Sequence, residues 1–243
     1  MKSSISLRGR QALMAALICA LSWTITPLSR TSADDSLDAR QLVERSRITF
    51  DSLMTAKDLP SMRNLLKNAK GVFISPQVLK GAFIIGASGG SGVLLVRDAK
   101  TGQWNGPAFY TIGEASFGLQ IGGEAAEVLL LAMTDRGVTA LLSNSVKLGA
   151  DVGVAAGPVG VGMDASTANL SADIITYSHA KGLYGGISVE GAVVAVRNGW
   201  NEAYYGKKVT PTDILIRRDV MNAHAAKLIE RVSTAAGSGG GSK

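Results

Sequence analysis

Residues 86–90, Gly-Ala-Ser-Gly-Gly, match the G-x-S-x-G pattern in which a serine serves as the nucleophile of a hydrolase. That chemistry needs Ser88 on a sharp strand-to-helix turn, with an acid and then a histidine further along the chain. Ser88 is followed instead by Ser-Gly-Val-Leu-Leu-Val, whose β-branched and aliphatic run predicts a strand. The glycines are therefore expected to permit a tight turn and close strand packing. A phosphate-cradling loop fails for a similar reason, because no Gly-Lys-Ser/Thr follows and no helix opens behind the glycines.

The remaining polar residues are scattered. His179 and His224 are the two histidines, His179 expected in a turn and His224 in the last helix. Asp151, Asp164 and Asp173 lack the spacing of a calcium loop, and no metal or other cofactor is expected. Glu114, Glu124, Glu127 and Glu190 could act as acid and base, yet no spacing joins any two of them. The single cysteine, Cys19, lies near the start. Its acylation is disfavoured by Ile18, since a lipoprotein signal prefers a small residue there.

Cations do cluster. Residues 36–70 hold seven basic residues (Arg40, Arg45, Arg47, Lys57, Arg63, Lys67, Lys70) against four acids (Asp38, Glu44, Asp51, Asp58). Lys80 follows in "SPQVLKG", read as a turn. A basic helix with an apolar stripe suits an anionic phospholipid surface. Each engaged Lys or Arg contributes about 1 kcal/mol, so three or four give weak, salt-sensitive association. The competing reading is that Leu42, Val43, Phe50 and Leu53 cover a sheet and leave the charges solvated. Nucleic acid is not expected, because exposed aromatics do not accompany the cations and Phe50 sits on the apolar face.

These residues need elements to hold them. Residues 1–33 read as an export signal, with Lys2, Arg8 and Arg10 before the apolar stretch 12–21 and small residues Thr31-Ser32-Ala33 at a cleavage point. Removing that segment, with four basic residues and no acid, lowers the net charge from +6 to +2. One domain is expected over 34–234, in the periplasm or secreted. It begins with two helices in 36–70, the first capped by Ser36 and the second ending at a left-handed Gly71. Short strands follow in 71–197, interrupted by a helix at 135–143. A last helix is expected over 210–234, from Thr210-Pro211, and a flexible tail over 235–243.

Composition agrees with this division: 46% hydrophobic residues, 29 glycines and only 5% aromatics predict an aliphatic core with closely approaching backbones. Regular helices do not separate the strands, which argues against a doubly wound sheet. The expectation is an α+β fold: a Gly-rich antiparallel sheet curled towards a barrel or sandwich and flanked by N- and C-terminal helices.

Four blocks, "AKGVFISPQVLKGAFIIGASGGSGVLLVR", "GQWNGPAFYTIGEASFGLQIGGEAAEVLLL", "KLGADVGVAAGPVG" and "YSHAKGLYGGISVEGAVV", resemble the SYLF domain family in order and spacing. The likeness runs from about Ala39 to Leu215. Bacterial members are often exported single domains, whereas eukaryotic members carry Src-homology-3 or FYVE modules. The resemblance implies phospholipid binding, phosphoinositides included, assisted by a basic amphipathic N-terminal helix, and no catalytic activity. Some fungal members bind actin. Asp38 and Glu44 dilute the basic helix here, and export makes phosphoinositide and actin doubtful partners. A structural or protein-interaction role in the cell envelope is the alternative, followed by a Ser88 hydrolase.

Overall fold

Val72, Ile74, Val93 and Leu95 alternate with Phe73, Leu94 and Val96, and both sets are buried. A strand that is apolar on alternate residues and also between them must lie in a sheet covered on both faces. The computed structural model describes residues 32–237 except 58–59, 83–84, 118–121, 158–170, 181–182 and 186–188. The expected export signal lies outside the described residues apart from Ser32 and Ala33, and the tail apart from 235–237.

Two helices, α1 (Ser32–Thr55) and α2 (Pro60–Asn68), precede four long strands: β1 (Gly71–Ala82), β2 (Ile85–Arg97), β3 (Trp104–Phe117) and β4 (Gly122–Ala132). Helix α3 (Asp135–Leu142) leads to short strands β5 (Ser145–Lys147) and β6 (Val154–Ala156). Then come β7 (Ile174–Ala180), β8 (Leu183–Gly185), β9 (Val193–Val196) and α4 (Asn198–Tyr205). A π-helical turn (Asp213–Arg217), a 3-10 turn (Ala223–Ala225) and α5 (Ala226–Ala235) finish the chain. The strand order is β5-β9-β3-β2-β1-β4-β7-β6, with β8 also on β7, and the sheet curls into a half-barrel.

The α+β expectation holds, with one amendment. The sheet is mixed, because β6 runs parallel to β7 while the other pairings are antiparallel. One face carries Val72, Ile74, Leu95, Phe109, Leu129 and Tyr177 and is covered by α1, α2, α4 and α5. The other carries Phe73, Leu94, Tyr110, Leu130 and Ile174, packed with Val138 and Leu141 of α3 and Ile214 and Leu215 of the π turn. Register fixes this sorting: Phe73 faces Leu94 across β1–β2 and Leu130 across β1–β4.

Several local expectations change. "SPQVLKG" is not a turn but the second half of β1. The pairing slips at residues 74–78, where Pro76 has no N–H to give the ladder, and a bulge absorbs it. Lys80 therefore sits in a strand, opposite Ser88 and Glu124. The glycines of 86–92 lie within β2 rather than in a turn. They do serve close packing: a Cβ on Gly92 would overlap the Phe73 ring, and one on Gly90 would overlap the Gln77 carbonyl. Gly71 opens β1 instead of capping α2. The stretch 148–156 is a Leu148–Val152 bridge closed by a turn at Gly149, φ +84°, followed by β6.

The expected last helix is broken. Ile214 and Leu215 pack on one sheet face, while Leu228 and Val232 pack on the other. No single rod can serve both faces. The chain stops at Arg218, in the left-handed region at φ +61°, and crosses over before α5 begins.

Candidate functional site

Helix α1 divides its residues cleanly. Ala39, Leu42, Val43, Phe50 and Leu53 recur at helical spacing and are buried against the sheet, α4 and α5. The apolar stripe thus packs inward. On the opposite side Leu37, Gln41, Arg45 and Ile48 form an exposed line, with Arg40 at its edge. Leu37 and Ile48 are 57% and 58% exposed. Asp34 and Asp35 occupy the first turn, where the helix dipole favours negative charge.

The eight predicted cations do not form one patch. Arg40 and Arg45 come together, lining a shallow groove of about 410 Å³ with Gln41, Glu44 and His224. Neither makes an ion pair among the described residues. Arg47 is committed within the helix, to Glu44 at 3.2 Å and Asp51 at 3.4 Å. Arg63 is also committed: Nη1 donates to the carbonyls of Met54 (3.0 Å) and Ala56 (2.9 Å), closing the end of α1. Lys70 pairs with Asp135 at 2.6 Å. Lys57, Lys67 and Lys80 are exposed, in the α1–α2 link, on α2 and on β1.

The hydrolase reading of Ser88 loses its geometry. Ser88 stands inside β2, facing Lys80 and Glu114 across the ladders, with no strand-to-helix turn. His179 is in β7, not a turn, and its Nδ1 lies 3.0 Å from Glu127. His224 Nδ1 lies 3.3 Å from the Tyr204 hydroxyl. Burial pushes the Tyr204 hydroxyl well above the usual phenol range, so it stays protonated.

Sequence reasoning missed one polar cluster. Glu127 Oε1 accepts from the Thr49 hydroxyl at 3.0 Å while Oε2 meets His179, so this carboxylate ties α1 to β4 and β7. Glu127 and His179 are directly opposed across β4–β7, and only the strand pairing could have revealed them as partners.

Comparison with known proteins places the chain. Residues 113–235 match the family Ysc84, described as "Las17-binding protein actin regulator". Human SH3 domain-containing YSC84-like protein 1 is 31% identical over 169 residues, covering 69% of this chain and 49% of that protein. The chain belongs to the Ysc84 family, whose domain is the SYLF domain. Among yeast relatives, Protein YSC84 of Saccharomyces cerevisiae is 35% identical over 159 residues, 63% of this chain and 33% of its own length. LAS seventeen-binding protein 3 from the same species is 33% identical over 159 residues, 64% and 34% of the two chains. The chain therefore spans about half the length of the human relative and a third of the yeast ones. The family match runs from β3 to α5, so all eight predicted cations lie outside it. The family's description as an actin regulator weakly opposes the expectation that actin is a doubtful partner.

Proposed function

We propose that this Ysc84-family chain is an exported, non-enzymatic protein that associates with anionic phospholipid surfaces through the outward side of α1. The observation that carries this reading is the exposed line of Leu37, Arg45 and Ile48, with Arg40 beside it. Apolar groups standing among unpaired guanidinium groups suit an interface where aliphatic carbons enter and cations stay with the phosphates. Arg40 and Arg45 would contribute about 1 kcal/mol each. The association is then weak and falls as salt rises.

Flotation with anionic and with zwitterionic vesicles, in low salt, tests this. Binding to the anionic vesicles alone is expected, reduced several-fold by Arg40→Glu with Arg45→Glu. Equal failure on both vesicle types would sink the reading. A protein-interaction role is the second reading, favoured by the family's description as a Las17-binding actin regulator and by the name of the yeast relative LAS seventeen-binding protein 3. Capture of one defined protein partner, with no lipid bound, would favour it instead.

A further inference from the structure

Two hollows meet where β2 passes into β3, at the end of the sheet away from Lys80. The first is a groove of about 780 Å³, walled by Trp104, Ile214, Val220, Met221, Ala226 and Ile229. Met221 is 89% exposed at its rim. The second, of about 850 Å³, is lined by Lys67, Lys70, Arg97, Lys100 and Arg218, against the carboxylates of Asp98 and Asp135. Arg97 and Arg218 line both hollows. Glu230 is the acid on the groove side.

Charge in the second hollow is only partly compensated. Lys70 is paired with Asp135 at 2.6 Å, and Arg218 with Asp98 at 3.4 Å. Asp98 is further occupied by the N–H groups of Thr101 (2.7 Å) and Lys100 (2.9 Å), which hold its carboxyl below the usual range. Arg97 donates from Nε to the Gly102 carbonyl (3.3 Å) and from Nη1 to the Lys67 carbonyl (2.9 Å). Both acceptors are neutral, so its guanidinium is held in place with its charge unspent, and Nη2 has no partner among the described residues. The ammonium groups of Lys67 and Lys100 also lack carboxylate partners there.

Two residues that line the apolar groove, Trp104 and Asn105, hold buried donors without acceptors among the described residues. Trp104 is 4% exposed, and its indole N–H, like the buried Asn105 amide nitrogen, has no acceptor among the described residues. Buried donors are ordinarily paired. Arg218, between the hollows, is the non-glycine residue held at positive φ among the described residues, and such backbone outliers gather at ligand sites.

We propose that the two hollows form one binding site for a single-chain amphipathic anion. The aliphatic chain lies along Ile214, Val220, Ala226 and Ile229, and a phosphate or carboxylate head sits at Arg97 between Lys67 and Lys100. The unpartnered Nη2 of Arg97 can donate to one oxygen of either head, and the ammonium groups of Lys67 and Lys100 can donate to the others. An apolar cleft of this size with a few convergent polar groups is the usual form of a small-molecule site. The inference goes beyond the membrane-surface reading, because it takes one dissolved molecule and uses neither Arg40 nor Arg45.

Titration calorimetry on the full chain tests it, with lysophosphatidate and palmitate below their micelle concentrations as probes. Inorganic phosphate and zwitterionic lysophosphatidylcholine serve as controls. Saturable one-site binding of lysophosphatidate is expected, with much weaker binding of both controls. Palmitate binding equally well means any anionic head is accepted, and palmitate failing means a phosphate is required; both fit the site. Arg97→Gln should weaken binding at least tenfold. Because Arg97 also ties the β2–β3 turn to α2, two milder variants accompany it. Arg218→Asn removes the cation while tolerating the left-handed backbone, and Ala226→Trp fills the groove from an exposed position on α5. Each should weaken binding tenfold with an unchanged melting temperature. No saturable binding of lysophosphatidate, binding of either control as tight, or undiminished binding in either milder variant overturns the proposal.

Discussion

Arg63 and Arg40 look alike in the sequence and do different work. The Arg63 guanidinium closes the carbonyl end of α1, where the helix dipole favours a cation, whereas Arg40 stands in solvent. Arg63→Ala is expected to cost about 1–2 kcal/mol of stability, read by urea unfolding, because two carbonyls lose a charged donor. Asp173 gives a pH-dependent counterpart. The Thr134 hydroxyl at 2.6 Å, then the Gly153 N–H at 3.2 Å and Arg136, hold its carboxyl below the ordinary 3.8 against the opposing effect of burial. A carboxyl lowered in the folded state contributes stability above its unfolded value, and that contribution is lost as pH falls through the folded one. Asp173→Asn should therefore be less stable than the parent at neutral pH. The gap between the two unfolding midpoints should narrow only below about pH 4.

At the scale of elements, the buried side of α1 was legible and the C-terminal helix was not. Ser36, read as the N-cap of α1, lies inside a helix that begins at Ser32. The period of Ala39, Leu42, Val43, Phe50 and Leu53 names the buried side of α1 directly, because a single stripe meets a single surface. Leu53→Ala should cost about 2–5 kcal/mol by urea unfolding. Ile48→Ser, on the exposed line, should stay within about 0.5 kcal/mol yet reduce vesicle flotation. Between 210 and 234 the apolar residues also suggest one helix, but Ile214 and Leu228 serve opposite sheet faces. Residue spacing carries no information about which face a stripe will meet, and so the crossing at Arg218 was invisible. The same limit hid the site residues. The cation cluster of 36–70 was visible as composition. The pairing of Arg47 with Glu44 and Asp51 follows helical spacing and was readable. The Arg63 cap and the Lys70–Asp135 pair depend instead on how α1, α2 and α3 are placed, which no local pattern encodes.

For the molecule as a whole, the sheet is a septum with a core on each side. Phe73 and Ile74 are adjacent in β1 and belong to different cores, so either core loosens if the strand shifts. Gly92→Ala is expected to destabilise by about 1–3 kcal/mol, since the added methyl would push Phe73 off its seat in the second core. Amide exchange should rank the elements accordingly. Residues 72–74, 93–95 and 129–131, with neighbours on both edges and cover on both faces, should exchange last, and β5 and β6 should exchange early. The overall class was readable because the strand-like segments of 71–197 follow one another without regular helices between them. Strand length was not, since short strands were expected and β1 to β4 run 11 to 14 residues. The parallel β6–β7 pairing was not, being a fact of chain return rather than of any residue.

The outer flank of β7 is shared by β6 and β8, three residues each and running in opposite senses, and the far flank ends in the three residues of β5. A foreign polypeptide seeking to extend the ladder thus meets, among the described residues, only brief and discordant footholds. Fibrillar growth by edge recruitment is blunted where a sheet this broad would otherwise invite it.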